Sequence, residues 1–146
     1  MKRAVYSIVT VLILLISIAA FAAFAEEAVD TKAAAFLSEY GWEISEKCID
    51  KAQVIIPDPF DLVYENYNNL QLEAGLDLRP YRGKYGMRYT YEVTNYPIDP
   101  GEPVRANVII IDGVCVGGDI CTVSLGGFMH SLQKNSDSDR NQTNNS

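Results

Sequence analysis

VRANVIIIDGVCVGGDICTV, residues 104–123, reads as two strands joined by a two-residue turn. Asp112-Gly113 suits a primed turn, in which both central residues take positive φ, and apolar β-branched runs flank it on both sides. Across such a turn Ile111 opposes Val114 and Ile110 opposes Cys115. An uninterrupted ladder would then set Asp119 against inward-facing Ala106. One extra residue absorbed at Gly117-Gly118 instead sets Asp119 against Asn107 and Ile120 against Ala106, and paired glycines are a natural place for a bulge. This register puts Cys115 inward and Cys121 on the opposite face.

Upstream of the hairpin, Tyr85 to Val93 keeps a period of two. Tyr85, Met87, Tyr89, Tyr91 and Val93 share one face and Gly86, Arg88, Thr90 and Glu92 the other, the pattern of an antiparallel strand packed on a helix layer. Asn95 to Pro103 is a Pro/Gly-rich loop. Before the strand, Phe60, Val63, Tyr67, Leu70 and Ala74 recur at helical spacing as a core-facing stripe. Asp58 is the expected N-cap, Pro59 the first helical residue, Asp61 an acid near the positive end of the dipole, and Gly75 the stop. Two short strands are expected over Trp42 to Ile49 and Gln53 to Ile56. A first helix is expected over Lys32 to Tyr40, capped by Asp30 or Thr31 and ended by Gly41. Phe128 to Leu132 is too short to assign. The sum is an α+β domain, two helices packed on one face of a mostly antiparallel sheet of three to five strands.

The chain starts with an address. Lys2 and Arg3 precede 21 uncharged residues, Ala4 to Phe24, and Ala23-Phe24-Ala25 meets Glu26-Glu27. A basic start, an apolar middle and small residues at −3 and −1 describe a secretory signal peptide over residues 1–25. The alternative is retention as a membrane anchor, since about 20 apolar residues span a bilayer. Residues 26–133 then form one globular domain, and 134–146 a polar tail too poor in apolar residues to order. Lys2 and Arg3 leave with the leader, so 10 Lys and Arg face 19 Asp and Glu, a balance of −9. An acidic exported domain has no general attraction for polyanions, which argues against nucleic acid. The membrane enters only through the N-terminal segment.

Export permits disulfides. Cys115 and Cys121 lie six residues apart on one strand, about 20 Å at full extension and beyond bridging reach, so any disulfide pairs Cys48 with Cys115 or Cys121. One histidine and no Cys-x-x-Cys argue against a metal site, and nothing calls for a cofactor. Imidazole catalysis would have to use His130, with Asp119 or Glu92 as the carboxylate partner. No serine elbow, zinc-protease helix or phosphate loop is present. The local anomaly is a cationic stretch, Arg79, Arg82, Lys84 and Arg88, interleaved with tyrosines. It reads either as cations paired with helix acids or as a ledge for a glycan, an anionic polymer or an envelope protein, with Tyr96 in the neighbouring loop.

Tyr64-Glu65-Asn66-Tyr67-Asn68-Asn69-Leu70-Gln71, Gly75 to Leu78, Arg88 to Val93 with Asn95-Tyr96-Pro97, Arg105-Ala106-Asn107, Gly117 to Ile120 and Phe128-Met129-His130 form an ordered set. From Trp42 to His130 this set resembles the domain of unknown function 4830 family, exported proteins of Gram-positive bacteria. The resemblance implies one compact exported domain and brings no activity, cofactor or catalytic residue. The expectation is a non-catalytic binding or interaction module of the cell envelope. The alternatives are a small exported hydrolase using His130, a membrane-anchored module with its leader kept, and a domain whose sheet a partner chain completes through an exposed edge.

Overall fold

The computed structural model describes residues 2–97, 101–124 and 126–134. The chain divides into two compact units, residues 1–32 and 33–146. Its elements are α1 (Lys2–Ser38), β1 (Asp50–Ile55), α2 (Leu62–Glu73), β2 (Tyr85–Glu92), β3 (Val104–Ile111), β4 (Val114–Thr122) and β5 (Met129–His130), with a 3-10 turn at Arg79–Tyr81. The strands form one antiparallel sheet in the order β1-β2-β3-β4-β5. Two helices and a five-stranded antiparallel sheet make this an α+β protein, as the sequence implies.

α1 corrects the reading of its region. No Gly or Pro interrupts residues 4–40, so one helix runs from the apolar leader through Ser38 instead of starting afresh at Asp30 or Thr31. Thr31 sits inside it and its hydroxyl donates back to the Glu27 carbonyl at 2.9 Å. Gly41, at φ 80°, follows its last turn. Ala33 and Leu37, which fall in the second unit, are fully buried. The strand expected over Trp42 to Ile49 is reduced to a single bridge, Ile44 to Val93. Scattered bonds hold the rest of that stretch beside β2, such as Ser45 N–H to the Glu92 carbonyl at 2.8 Å.

α2 begins later than expected. Asp61, not Asp58, is the N-cap and accepts the Tyr64 amide at 2.8 Å, while Pro59 precedes the helix in a cis peptide. At the other end the Leu76 amide reaches the Gln71 carbonyl at 2.9 Å and the Gly75 amide reaches Leu72 at 3.0 Å. With Gly75 at φ 75°, this is a Schellman ending. The stripe is also displaced: Val63 is exposed, and the residues α2 buries within the helix are the amides Asn68 and Gln71.

Which sheet face meets α2 follows from the register. Arg88 pairs with Ile109, Thr90 with Asn107 and Glu92 with Arg105, while Asn107 in turn pairs with Asp119 and Arg105 with Cys121, so these residues share one face. Phe60, Tyr64 and Tyr67 pack there on the cluster of Ile56, Leu78, Ile109, Ile111 and Val116. The tyrosine face of β2 therefore looks away from α2. On that second face Tyr91, Val93, Ala106, Val108 and Ile120 are buried, Met87 and Tyr89 half-buried, and Tyr85 exposed.

The hairpin matches its reading closely. Asp112 and Gly113 take φ 50° and 75°, Asp119 opposes Asn107 and Ile120 opposes Ala106. The irregularity lies between Ile109 and Ile110, which leaves Val116 as the extra residue, one position ahead of the glycine pair. The expected polar tail lies, from residue 135 onward, outside the described residues.

Candidate functional site

The α2-facing side of the sheet carries a row of polar side chains crossing three strands. Thr90 Oγ1 donates to Asn107 Oδ1 at 2.7 Å, and Asn107 Nδ2 donates to Asp119 Oδ1 at 2.8 Å. From α2, the Tyr67 hydroxyl donates to Asp119 Oδ2 at 2.8 Å. Asn107 also approaches Cys121 Sγ at 3.4 Å. Burial is the main influence throughout. It raises the Asp119 carboxyl above its ordinary 3.8, against the lowering effect of the Asn107 and Tyr67 hydrogen bonds. It also pushes the Tyr67 phenol well above 10.0 and the Cys121 thiol to about 11, in each case with the Asp119 charge adding to it. Such a row rigidifies and specifies an interior when its members are satisfied.

Glu92, Arg88 and Asp119 thus share a sheet face, but His130 does not join them. Its backbone pairs with Ile120, whose side chain points the other way from Asp119. Both imidazole nitrogens are engaged, Nδ1 with the Ser131 carbonyl at 2.7 Å and Nε2 with the Tyr96 hydroxyl at 3.2 Å. The ring stacks on Phe128 at 5.4 Å and lies near Trp42 at 6.1 Å, while Trp42 and Tyr96 stack at 5.7 Å. Lys134 Nζ sits 4.6 Å from the Trp42 ring. Trp42 anchors this cluster by donating Nε1–H to the Leu132 carbonyl at 2.6 Å. The dyad of His130 with Asp119 or Glu92 is not assembled.

The cationic stretch separates into parts. Arg79 pairs with Glu65 at 3.3 Å and Asp77 at 3.7 Å, Lys84 with Asp112 at 3.3 Å, and Arg88 with Asp50 at 3.3 Å. Arg82 donates Nε–H to the Arg79 carbonyl at 3.2 Å and, among the described residues, has no carboxylate within 4.0 Å. Arg82 and Lys84 precede β2, whereas Tyr96 follows it. Eight strand residues, about 26 Å, divide them, so Tyr96 does not flank the cations.

What does gather beside Arg82 and Lys84 is apolar. Ile55 pairs directly with Tyr85, and the Lys84–Asp112 contact brings the start of β2 to the β3–β4 turn, next to Val114. The residues at the α2 start, Phe60 and Tyr64, pack on the core cluster that includes Ile56 and Ile111. On the α2 side Leu62 is 77% exposed, Val63 73% and Val114 54%; on the opposite sheet face Tyr85 is 66% and Ile55 49% exposed. Sequence reasoning misses this pair at the helix start because Val63 falls on the apparent core stripe. The one signal that points elsewhere is Asp61, which caps the Tyr64 amide and so leaves Leu62 and Val63 in the first turn of the helix.

Cys48, Cys115 and Cys121 are thiols in the structure, with no disulfide from Cys48 to either partner considered for it. Cys48 Sγ instead donates to the Asp50 carbonyl at 2.9 Å. Among the described residues no three His, Cys, Asp or Glu side chains gather as metal ligands.

Fold and site together define a small α+β domain with a sealed polar interior row and a half-apolar sheet end. The chain belongs to the DUF4830 family, described as a domain of unknown function: the family model matches residues 36–120, more than half of the sequence. That match runs from the end of α1 into β4. Among curated proteins and among solved structures nothing matches this chain. α1 is long and apolar enough to cross a membrane, with mean hydropathy 2.8 in its most apolar window, which is compatible with a signal peptide or an anchor.

Proposed function

We propose that this protein is a non-catalytic interaction module of the cell envelope, carried across the membrane by its apolar leader, and that its contact surface is the hairpin end of the sheet. The observation that carries the reading is the exposure of large apolar side chains at that end, Leu62, Val63 and Val114 on the α2 side and Ile55 and Tyr85 on the opposite sheet face. An apolar centre with arginine and tyrosine at its margin is the composition of a protein–protein contact. Arg82, with no carboxylate within 4.0 Å among the described residues, suits an acid on the partner. A protein partner is favoured over a glycan or an anionic polymer because Arg79, Lys84 and Arg88 already hold acids of this chain. His130 and Asp119, the groups a hydrolase would need, are engaged in fixed contacts on opposite faces.

The test is Leu62→Glu with Val63→Glu in the exported chain. The expected outcome is loss of a stoichiometric envelope partner on purification with the thermal unfolding midpoint unchanged. Full retention of the partner by this variant would overturn the reading.

A further inference from the structure

We propose that Asp119 is a protonation-dependent latch for α2: the helix is docked most firmly on the sheet while this carboxyl is protonated, and loosens as it ionises. Asp119 is 2% exposed, and no Lys or Arg nitrogen among the described residues lies within 4.0 Å of it. Its hydrogen-bond donors are neutral, Tyr67 from α2 and Asn107 from β3, and the thiol of Cys121 lies on the same face of its own strand. The other charged or titratable groups facing it are few. Tyr64 stands behind Tyr67 on α2, Arg88 on β2 is held by Asp50 of β1, and Arg105 on β3 faces Cys121 beside Glu92. A buried carboxylate without a close cation favours its neutral form, as the upward shift by burial also indicates.

The strand ladder fixes β2, β3 and β4 around the carboxyl, whereas α2 reaches it through one side-chain bond, Tyr67 to Oδ2. Lifting α2 is therefore the least disruptive way for water to reach an ionised Asp119. The direction follows from linkage. The docked state holds its proton more tightly than the exposed carboxyl does. Its advantage is complete below the ordinary 3.8 and is lost as pH rises through the higher docked value.

Hydrogen exchange of the full chain in detergent micelles, read by mass spectrometry from pH 4 to 8 and corrected for intrinsic rate, tests this. Peptides of α2 should lose at least about threefold protection relative to β3 as pH rises. Asp119→Asn should flatten that difference. Tyr67→Phe, which removes a donor from the ionised form, should carry the pH dependence to higher pH. Parallel profiles for α2 and β3 in the wild type would overturn the latch. So would a wild-type slope in Asp119→Asn, or an unshifted one in Tyr67→Phe.

Discussion

Gln71 and Gly118 are joined across the interface between α2 and the sheet, the Gly118 amide donating to Gln71 Oε1 at 2.8 Å. The contact needs the neighbouring glycine as well. A Cβ added at Gly117 would stand 2.9 Å from the same Oε1 and 3.0 Å from Leu78 Cδ2. The glycine pair lets a buried amide of α2 sit directly on the backbone of β4, and Val116 ahead of it is the bulged residue.

The two glycines should differ in their tolerance of alanine. At Gly118 a Cβ would lie 2.5 Å from the Asn107 carbonyl oxygen, which belongs to the ladder and cannot move alone. Gly118→Ala should cost about 2–3 kcal/mol, the upper part of the overpacking range. Gly117→Ala meets side-chain ends instead of backbone, but displacing Gln71 Oε1 weakens its bond to the Gly118 amide, so it should cost about 1–2 kcal/mol. Urea unfolding midpoints of the two variants check the order.

Asn68 is fully buried because it closes the turn after α2. Its Oδ1 accepts the Leu78 amide at 2.8 Å and its Nδ2 donates to Asp77 at 3.0 Å. Asn68→Ala leaves the Leu78 N–H buried without that partner and should destabilise by about 1–3 kcal/mol. The same equilibrium unfolding experiment measures it.

Cys121 should resist alkylation. With its thiol pushed up to about 11 from the ordinary 9.0, chiefly by burial, roughly a hundredfold less thiolate is present at pH 8 than an unshifted cysteine would offer. Timed iodoacetamide labelling with peptide mapping should show Cys121 reacting far more slowly than a model peptide thiol at the same pH. Equal rates would contradict the burial argument.

The surface ion pairs should matter little to stability. Arg79, Lys84 and their acids are all more than a third exposed, so Arg79→Gln or Lys84→Gln should change the unfolding free energy by less than about 1 kcal/mol. Leu78→Ala, by contrast, empties a fully buried position of the core cluster and should cost about 2–5 kcal/mol.

Local chemistry makes the sheet legible in the sequence. Asp112-Gly113 dictates the turn, and the cost of burying Asp119 against Ala106 dictates the register shift that brings Asp119 opposite Asn107. The tyrosine alternation locates β2 but not its inner side. Both faces of this strand are partly covered, so polarity does not reveal which one meets α2. The polar row stays hidden because Thr90, Asn107 and Tyr67 are ordinary residues until pairing brings them together. α2 misleads in a similar way: Asn68 and Gln71 face inward to bond backbone, and a hydrophobic stripe cannot announce buried amides. Exposed Val63 reads as core for that reason.

The interaction surface is tested most directly by site-specific photocross-linking in the producing cell. A benzoylphenylalanine would replace Val63 or Tyr85 at the hairpin end, and exposed Met129 at the other end of the sheet. One discrete adduct is expected from positions 63 and 85, weakened by Arg82→Glu, and no such adduct from position 129. The same adduct from position 129, or none from 63 and 85, would contradict it.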